Sequence, residues 1–168
     1  MIRALVILAL AGCLPPADSP RPARDARLVA IEHSLALDGA AVGSSGQATV
    51  LVLFASWCGN CHHELAILEQ LRPQHPAVRV LGVNYRAHEE YGGRGNAEAV
   101  RAYVARYAPW MQVVPIDEPL FTQLGRPPKI PTLFVFDRAG VLVEVFDRRE
   151  RTMPDANELA ELFSRLGV

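Results

Sequence analysis

Two cysteines stand with two residues between them in Trp57-Cys58-Gly59-Asn60-Cys61. A strand-like apolar run precedes them and a helix-like run follows. At i and i+3 across a helix start, two cysteines are close enough to form a small disulfide ring. The upstream sulfur would lie near unpaired backbone N–H groups and the positive end of the helix dipole. That setting favours thiolate over thiol and draws a cysteine pKa from about 8.5 into the range of about 3.5–7.5. The downstream cysteine, more buried, would serve as internal attacker and leaving group. The chemistry this pattern supports is thiol–disulfide exchange.

The same residues admit other chemistry. Cys58-Gly59-Asn60-Cys61-His62 is also a CxxCH run, the attachment pattern of c-type haem, with His62 as an iron ligand. A metal module could use Cys58, Cys61 and one of His62 or His63, although structural zinc wants four ligands and no second cysteine pair exists in the domain. No metal or cofactor is expected on the preferred reading. His62 lies one turn from Cys58, where an imidazolium would stabilise thiolate; the plain alternative is a surface histidine. Glu64 follows Cys61 by three residues and reads either as a proton relay or as a solvated helix glutamate. His33, His75, His88, Glu89, Glu90, Asp117 and the run Asp147-Arg148-Arg149-Glu150-Arg151 read as surface or loop charges. The glycines between Glu89 and Gly95 would let that loop gate a groove, or it simply connects elements.

The elements that must position this pair alternate. Leu28–Leu37 reads as a first strand. Thr49–Phe54 is a continuous apolar, β-branched run, the pattern of a strand buried on both faces. His62–Leu71 carries Leu65, Leu68 and Leu71 at helical spacing. Val78–Val83 is a second buried strand, and Ala87–Asn96 a polar loop. Asn96 can cap a helix through Tyr107, with Val100, Tyr103, Val104 and Tyr107 on one face. Val113–Ile116 is a short strand and Leu120–Leu124 a short helix. Thr132–Phe136 and Leu142–Phe146 flank a short link and form an antiparallel hairpin. Asp155 can cap a last helix that buries Leu159, Leu162, Phe163 and Leu166 and ends at Gly167. The pattern predicts an α/β fold, a mixed central β-sheet flanked by helices.

At this point the chain resembles the thioredoxin superfamily, and within it the secreted TlpA/ResA-like thiol–disulfide oxidoreductases. The resemblance rests on the run Val50-Leu51-Val52-Leu53-Phe54-Ala55-Ser56-Trp57-Cys58-Gly59-Asn60-Cys61, on Glu64 three residues further, and on the distant Ile130-Pro131-Thr132. It spans about residues 28–168. It implies a thioredoxin-like fold with a TlpA-type helical insert, here Ala87–Tyr107. It implies Cys58, Cys61 and Glu64 as catalytic residues. It further implies Trp57, Ile130 and Pro131 as substrate-binding residues, with Pro131 cis, facing the disulfide and shaping the groove, the Ile130 backbone pairing with substrate, and Trp57 packed beside the site. Val52 stands where thioredoxin has a buried aspartate, so Glu64 would act alone. Asn60 replaces the proline of CGPC. The family leans towards reduction, and the expected partners are disulfide-bearing envelope proteins and a membrane-bound electron donor.

The N-terminus reads as an address. Arg3 precedes the apolar run Ala4–Leu10, too short to span a bilayer. Leu10-Ala11-Gly12-Cys13 resembles the lipobox of bacterial lipoproteins, which implies cleavage before Cys13 and lipidation of it; Ala9-Leu10-Ala11 also fits an ordinary cleavage site. Leu14 after the cysteine favours the outer over the inner membrane. The expected organisation is a signal peptide over 1–12, a lipidated, proline-rich tether over 13–27 and one domain over 28–168, on the periplasmic side of a bacterial envelope and monomeric. Composition agrees with one globular domain: 168 residues, 50% hydrophobic, 21% charged. A net charge of −1 argues against nucleic acid as partner.

Overall fold

The structure, a computed structural model, describes residues 22–149 and 151–168. The segment 1–21, with Cys13, the signal peptide and most of the tether, lies outside the described residues, as does Glu150.

Five strands form one sheet in the order β3-β2-β1-β4-β5. The central strand β1 (Ala48–Phe54) pairs parallel with β2 (Val78–Tyr85), which pairs parallel with β3 (Gln112–Ile116). On its other side β1 pairs antiparallel with β4 (Thr132–Phe136), and β4 with β5 (Leu142–Phe146). Every residue of β1 is buried because both faces are covered. Successive side chains alternate between the faces. Val50, Val52 and Phe54 pack with Leu65 and Leu68 of α2 (Gly59–Leu71), Val100 and Tyr103 of α4 (Ala97–Tyr107), and Leu159, Leu162 and Phe163 of α6 (Ala156–Arg165). Leu51 and Leu53 join Leu28 and Ile31 of α1 (Ala26–Glu32) and Phe121 of α5 (Glu118–Gln123) on the opposite face.

Two helix starts follow from side-chain caps. The carboxamide of Asn96 accepts the Ala99 N–H at 2.9 Å, and the carboxylate of Asp155 accepts the Glu158 N–H at 2.9 Å. Gly167, at φ 69°, occupies the left-handed position that ends α6.

Two expectations need correction. The first element is a helix, not a strand over Leu28–Leu37. Asp25 caps it through the Arg27 N–H, and Leu28 and Ile31, one turn apart, are its buried side. Residues 26 and 27, read with the tether, form its first turn, and the Asp25 N–H is bound to the Gly140 carbonyl at 2.8 Å. The loop Ala87–Asn96 also holds structure: a single-turn helix α3 (Arg86–Glu89) and a 3₁₀ turn over Tyr91–Gly93. The expected insert, Ala87–Tyr107, thus holds most of α3, the 3₁₀ turn and α4, and β3 lies beyond it. Among the described residues no helix is long and apolar enough to cross a membrane.

Candidate active site

Strand β1 ends at Phe54, and Ala55–Trp57 turn the chain into α2. The turn is fixed by the Cys58 N–H bonding to the Ala55 carbonyl at 3.1 Å. Cys58 is the N-cap of α2. Its Sγ accepts the Cys61 N–H at 3.1 Å, the place a serine or aspartate oxygen takes in other caps. The two cysteines form a disulfide with Cα atoms 5.2 Å apart. Cys58 is 8% exposed and Cys61 not at all, so an outside sulfur can reach only the first. On reduction the same N–H groups would favour a Cys58 thiolate.

Glu64 is 2% exposed, one turn below Cys61 on the same helix. Its Oε1 meets no hydrogen-bond partner among the described residues. Burial without a partner disfavours the carboxylate and pushes its pKa from 4.5 to about 7. The solvated alternative is therefore excluded. Val52, the apolar residue at the strand position where the resemblance set a buried aspartate in thioredoxin, is fully buried.

Strand register brings the second motif to the same sheet end. Leu53 of β1 lies opposite Thr132 of β4, so the residues before Thr132 flank those after Leu53. The Ile130–Pro131 peptide is cis. Ile130 and Trp57 both pack against the cluster that contains Cys58 and Cys61. Thus Trp57, Cys58, Cys61, Ile130 and Pro131 gather at one end of the sheet, with Glu64 deeper in α2.

One residue of the site was misread from sequence. Glu89 is not a solvated charge: it is 1% exposed. Its carboxylate accepts the Ser56 N–H at 2.9 Å, the Ser56 hydroxyl, and the Asn84 side-chain N–H at 2.9 Å. Its carbonyl accepts the Trp57 indole N–H at 3.0 Å. Asn84 also donates to the Phe54 carbonyl at 3.2 Å. A short helix thereby grips the two residues just before Cys58. Gly95 backs this carboxylate, since a Cβ there would collide with Glu89 Oε1. The available signal was Asn84, a polar residue closing an apolar strand, which must find partners at depth.

The histidines divide. His62, in the first turn of α2, sets Nδ1 3.3 Å from the Tyr103 hydroxyl and its ring edge-on to Tyr107. His75 is not a surface residue: it is buried against Phe163, with Nδ1 2.9 Å from the Val168 carbonyl. His88 is half-buried between Tyr85 and Phe121, and burial lowers its pKa. His33 and Asp117 are exposed as expected, while half-buried Asp147 pairs with Arg149 at 2.9 Å. Among the described residues no three of His, Cys, Asp and Glu cluster as a metal-binding set.

Comparison with solved structures places this architecture in the thioredoxin-like fold. A thioredoxin-like protein from Aeropyrum pernix superposes with a TM-score of 0.64 at 18% identity, covering 82% of this chain and 92% of its own. A secreted disulfide oxidoreductase of Mycobacterium tuberculosis, homologous to E. coli DsbE, gives 0.62 at 19% identity, covering 79% and 93%. StoA from Bacillus subtilis gives 0.59 at 21% identity, covering 78% and 93%. No protein-family model matches the chain, and no curated protein sequence matches it. The fold is thus thioredoxin-like, with a paired-cysteine site at the first turn of α2.

Proposed function

We propose that the chain is a thiol–disulfide oxidoreductase that reduces protein disulfides through Cys58 and Cys61. The observation that carries this reading is the placement of the pair: Cys58 Sγ caps α2, accepts an N–H, and is the sulfur reachable from outside. In the reaction, the Cys58 thiolate attacks one sulfur of a substrate disulfide. A Cys58–substrate bond forms, and the other substrate sulfur leaves as a thiolate that takes up a proton. Cys61 then gives up its proton and attacks Cys58 Sγ, which expels the second substrate sulfur. Two electrons pass to the substrate, and Cys58–Cys61 is left oxidised. Glu64, with a pKa near 7, is the group suited to accept the Cys61 proton in the second step. Its ionisation would oppose a nearby thiolate, so the two groups exchange a proton rather than both ionising.

Cleavage before Cys13 and its lipidation would tether a monomeric domain to the periplasmic side of a bacterial envelope, the outer membrane favoured. A membrane-bound dithiol donor would restore the reduced pair. The likeness to a protein described as secreted supports that compartment. The haem and metal alternatives have no comparable support: among the described residues His62 faces Tyr103 and Tyr107, and no metal-binding set is present.

Trapping tests the reading. Cys61→Ala leaves Cys58 unable to resolve a mixed disulfide, so substrate proteins should stay covalently bound and be released by a reductant. Cys58→Ala should trap nothing. Equal capture by the two variants, or a Cys58 that alkylates at neutral pH no faster than a free cysteine, would overturn the assignment.

A further inference from the structure

A hollow of about 280 Å³ lies beside Trp57 and Ile130, the residues just before Cys58 and Pro131. Trp57, Tyr91 and Ile130 supply its apolar walls, and Lys129 and Arg148 its charge. Trp57 and Ile130 directly precede Cys58 and Pro131, so a chain lying here would pass the reactive sulfur. A third cation, Arg94, sits 4.9 Å above the Trp57 ring and 5.8 Å from that of Tyr91. Among the described residues none of Arg94, Lys129 and Arg148 forms a salt bridge, whereas Arg149 beside them takes Asp147. Glu90, also exposed, adjoins this wall in sequence, and Arg148 also lines a second hollow with Glu144 and Asp147, whose carboxylates pair with Arg151 and Arg149. Glu89 turns inward and spends its charge on Ser56 and Asn84. Burial lowers the pKa of His88 and so disfavours its imidazolium form.

The wall that carries Tyr91 and Arg94 is fastened rather than loose. It begins at Glu89, which binds the turn before Cys58, and ends at Gly95, packed on the Glu89 carboxylate. Tyr91 is 65% exposed, a large aromatic surface held in place beside the site. Fixed aromatic area rimmed by cations is a built recognition surface rather than a hinge.

We infer that this groove selects its substrate by charge: the disulfide it receives lies in an extended polypeptide segment whose flanking residues are acidic, with carboxylates set against Arg94, Lys129 and Arg148. This rests on the thiol–disulfide reading and adds to it a substrate class. The cations raise the encounter rate with such a segment and hold it across Trp57 and Tyr91, while they repel a segment flanked by lysine.

The test uses the reduced full chain and two synthetic peptides, each with one disulfide, identical except that glutamates or lysines flank it. The neutral bis(2-hydroxyethyl) disulfide and glutathione disulfide serve as further probes. The second-order rate of disulfide loss should be about tenfold higher for the glutamate peptide at low ionic strength. The gap should collapse at about 1 M salt, where the screening length is about 3 Å. The double variant Arg94→Glu/Lys129→Glu should invert the preference; Arg94→Gln alone should shrink it. Equal rates for the two peptides, a gap that survives salt, or a gap the variants leave unchanged would overturn the inference. If the neutral disulfide is reduced while the peptides are not distinguished, charge selection falls and the enzyme reading stands; if no disulfide is reduced, both fall. A strong preference for glutathione disulfide without discrimination between the peptides would assign the cations to a small anion and overturn the peptide reading.

Discussion

Glu64→Gln isolates the cost of keeping an acid behind the cysteine pair. In the folded chain the Glu64 carboxyl holds its proton to about pH 7, against an ordinary 4.5. Below pH 4.5 both folded and unfolded chains are protonated there, and the residue imposes no penalty. Between 4.5 and 7 the unfolded chain ionises first, so stability falls as pH rises; above 7 both states are ionised and the loss is complete. At about 1.4 kcal/mol per pH unit, the difference amounts to about 3 kcal/mol, most of it incurred between about pH 5 and about pH 8. Glutamine fills the same volume and does not titrate. Its own burial cost is the same at both pH values and cancels when the two are compared. Urea unfolding of the oxidised protein is the assay, because in the disulfide neither cysteine titrates. The variant should gain about 2–3 kcal/mol on the parent between about pH 5 and about pH 8. A gap that stays constant, or one that moves in the parent's favour as pH rises, would refute the argument that desolvation sets the Glu64 equilibrium. In the reduced protein the same substitution should remove an inflection near neutrality from the pH profile of disulfide exchange.

Two further outcomes test the scaffold. Glu89→Ala strips the acceptor from the Ser56 N–H and hydroxyl and from Asn84, all at a buried position, and should cost about 3 kcal/mol or more in unfolding free energy; Glu89→Gln, which keeps one acceptor oxygen, should recover part of that, and both are read by urea denaturation beside the alkylation rate of reduced Cys58. Asp155→Ala removes the α6 cap and should cost about 1 kcal/mol, read as a lower denaturation midpoint with unchanged thiol reactivity.

What sequence made legible follows from which interactions are local. β1 could be read from Thr49–Phe54 because burial on both faces leaves only the β-branched Thr49 polar in the run, and α4 from Asn96 because a cap acts within one turn. The cysteine pair was legible for the same reason: its chemistry depends on the helix start it occupies. The first helix was not, since Ile31, Leu35 and Leu37 would share one face of a strand, and the cap at Asp25 lay inside a segment rich in proline and charge. Glu89 was hidden because its partners, Ser56 and Asn84, come from two other elements 33 and 5 residues away. His75 was hidden likewise: its carbonyl partner is Val168, 93 residues on.

Glu64 and Glu89 show how one residue type can serve opposite ends at one site. Both are almost completely buried near the same sheet end. Glu89 meets three donors on its carboxylate, so its charge is matched by hydrogen bonds and its geometry is fixed. Glu64 Oε1 meets none among the described residues, and burial instead raises its pKa to about 7. A carboxylate that holds several donors fixes the segments they belong to, whereas an unmatched one exchanges its proton at little structural expense. The proposed reaction needs both properties in different places. The turn before Cys58 must stay still while its sulfur changes partners, and a base must be present for the Cys61 thiol only during the second displacement. Exchanging the two environments, with a bonded carboxylate at 64 and a bare one at 89, would leave a rigid second cysteine and a loose nucleophile, the reverse of what disulfide exchange requires.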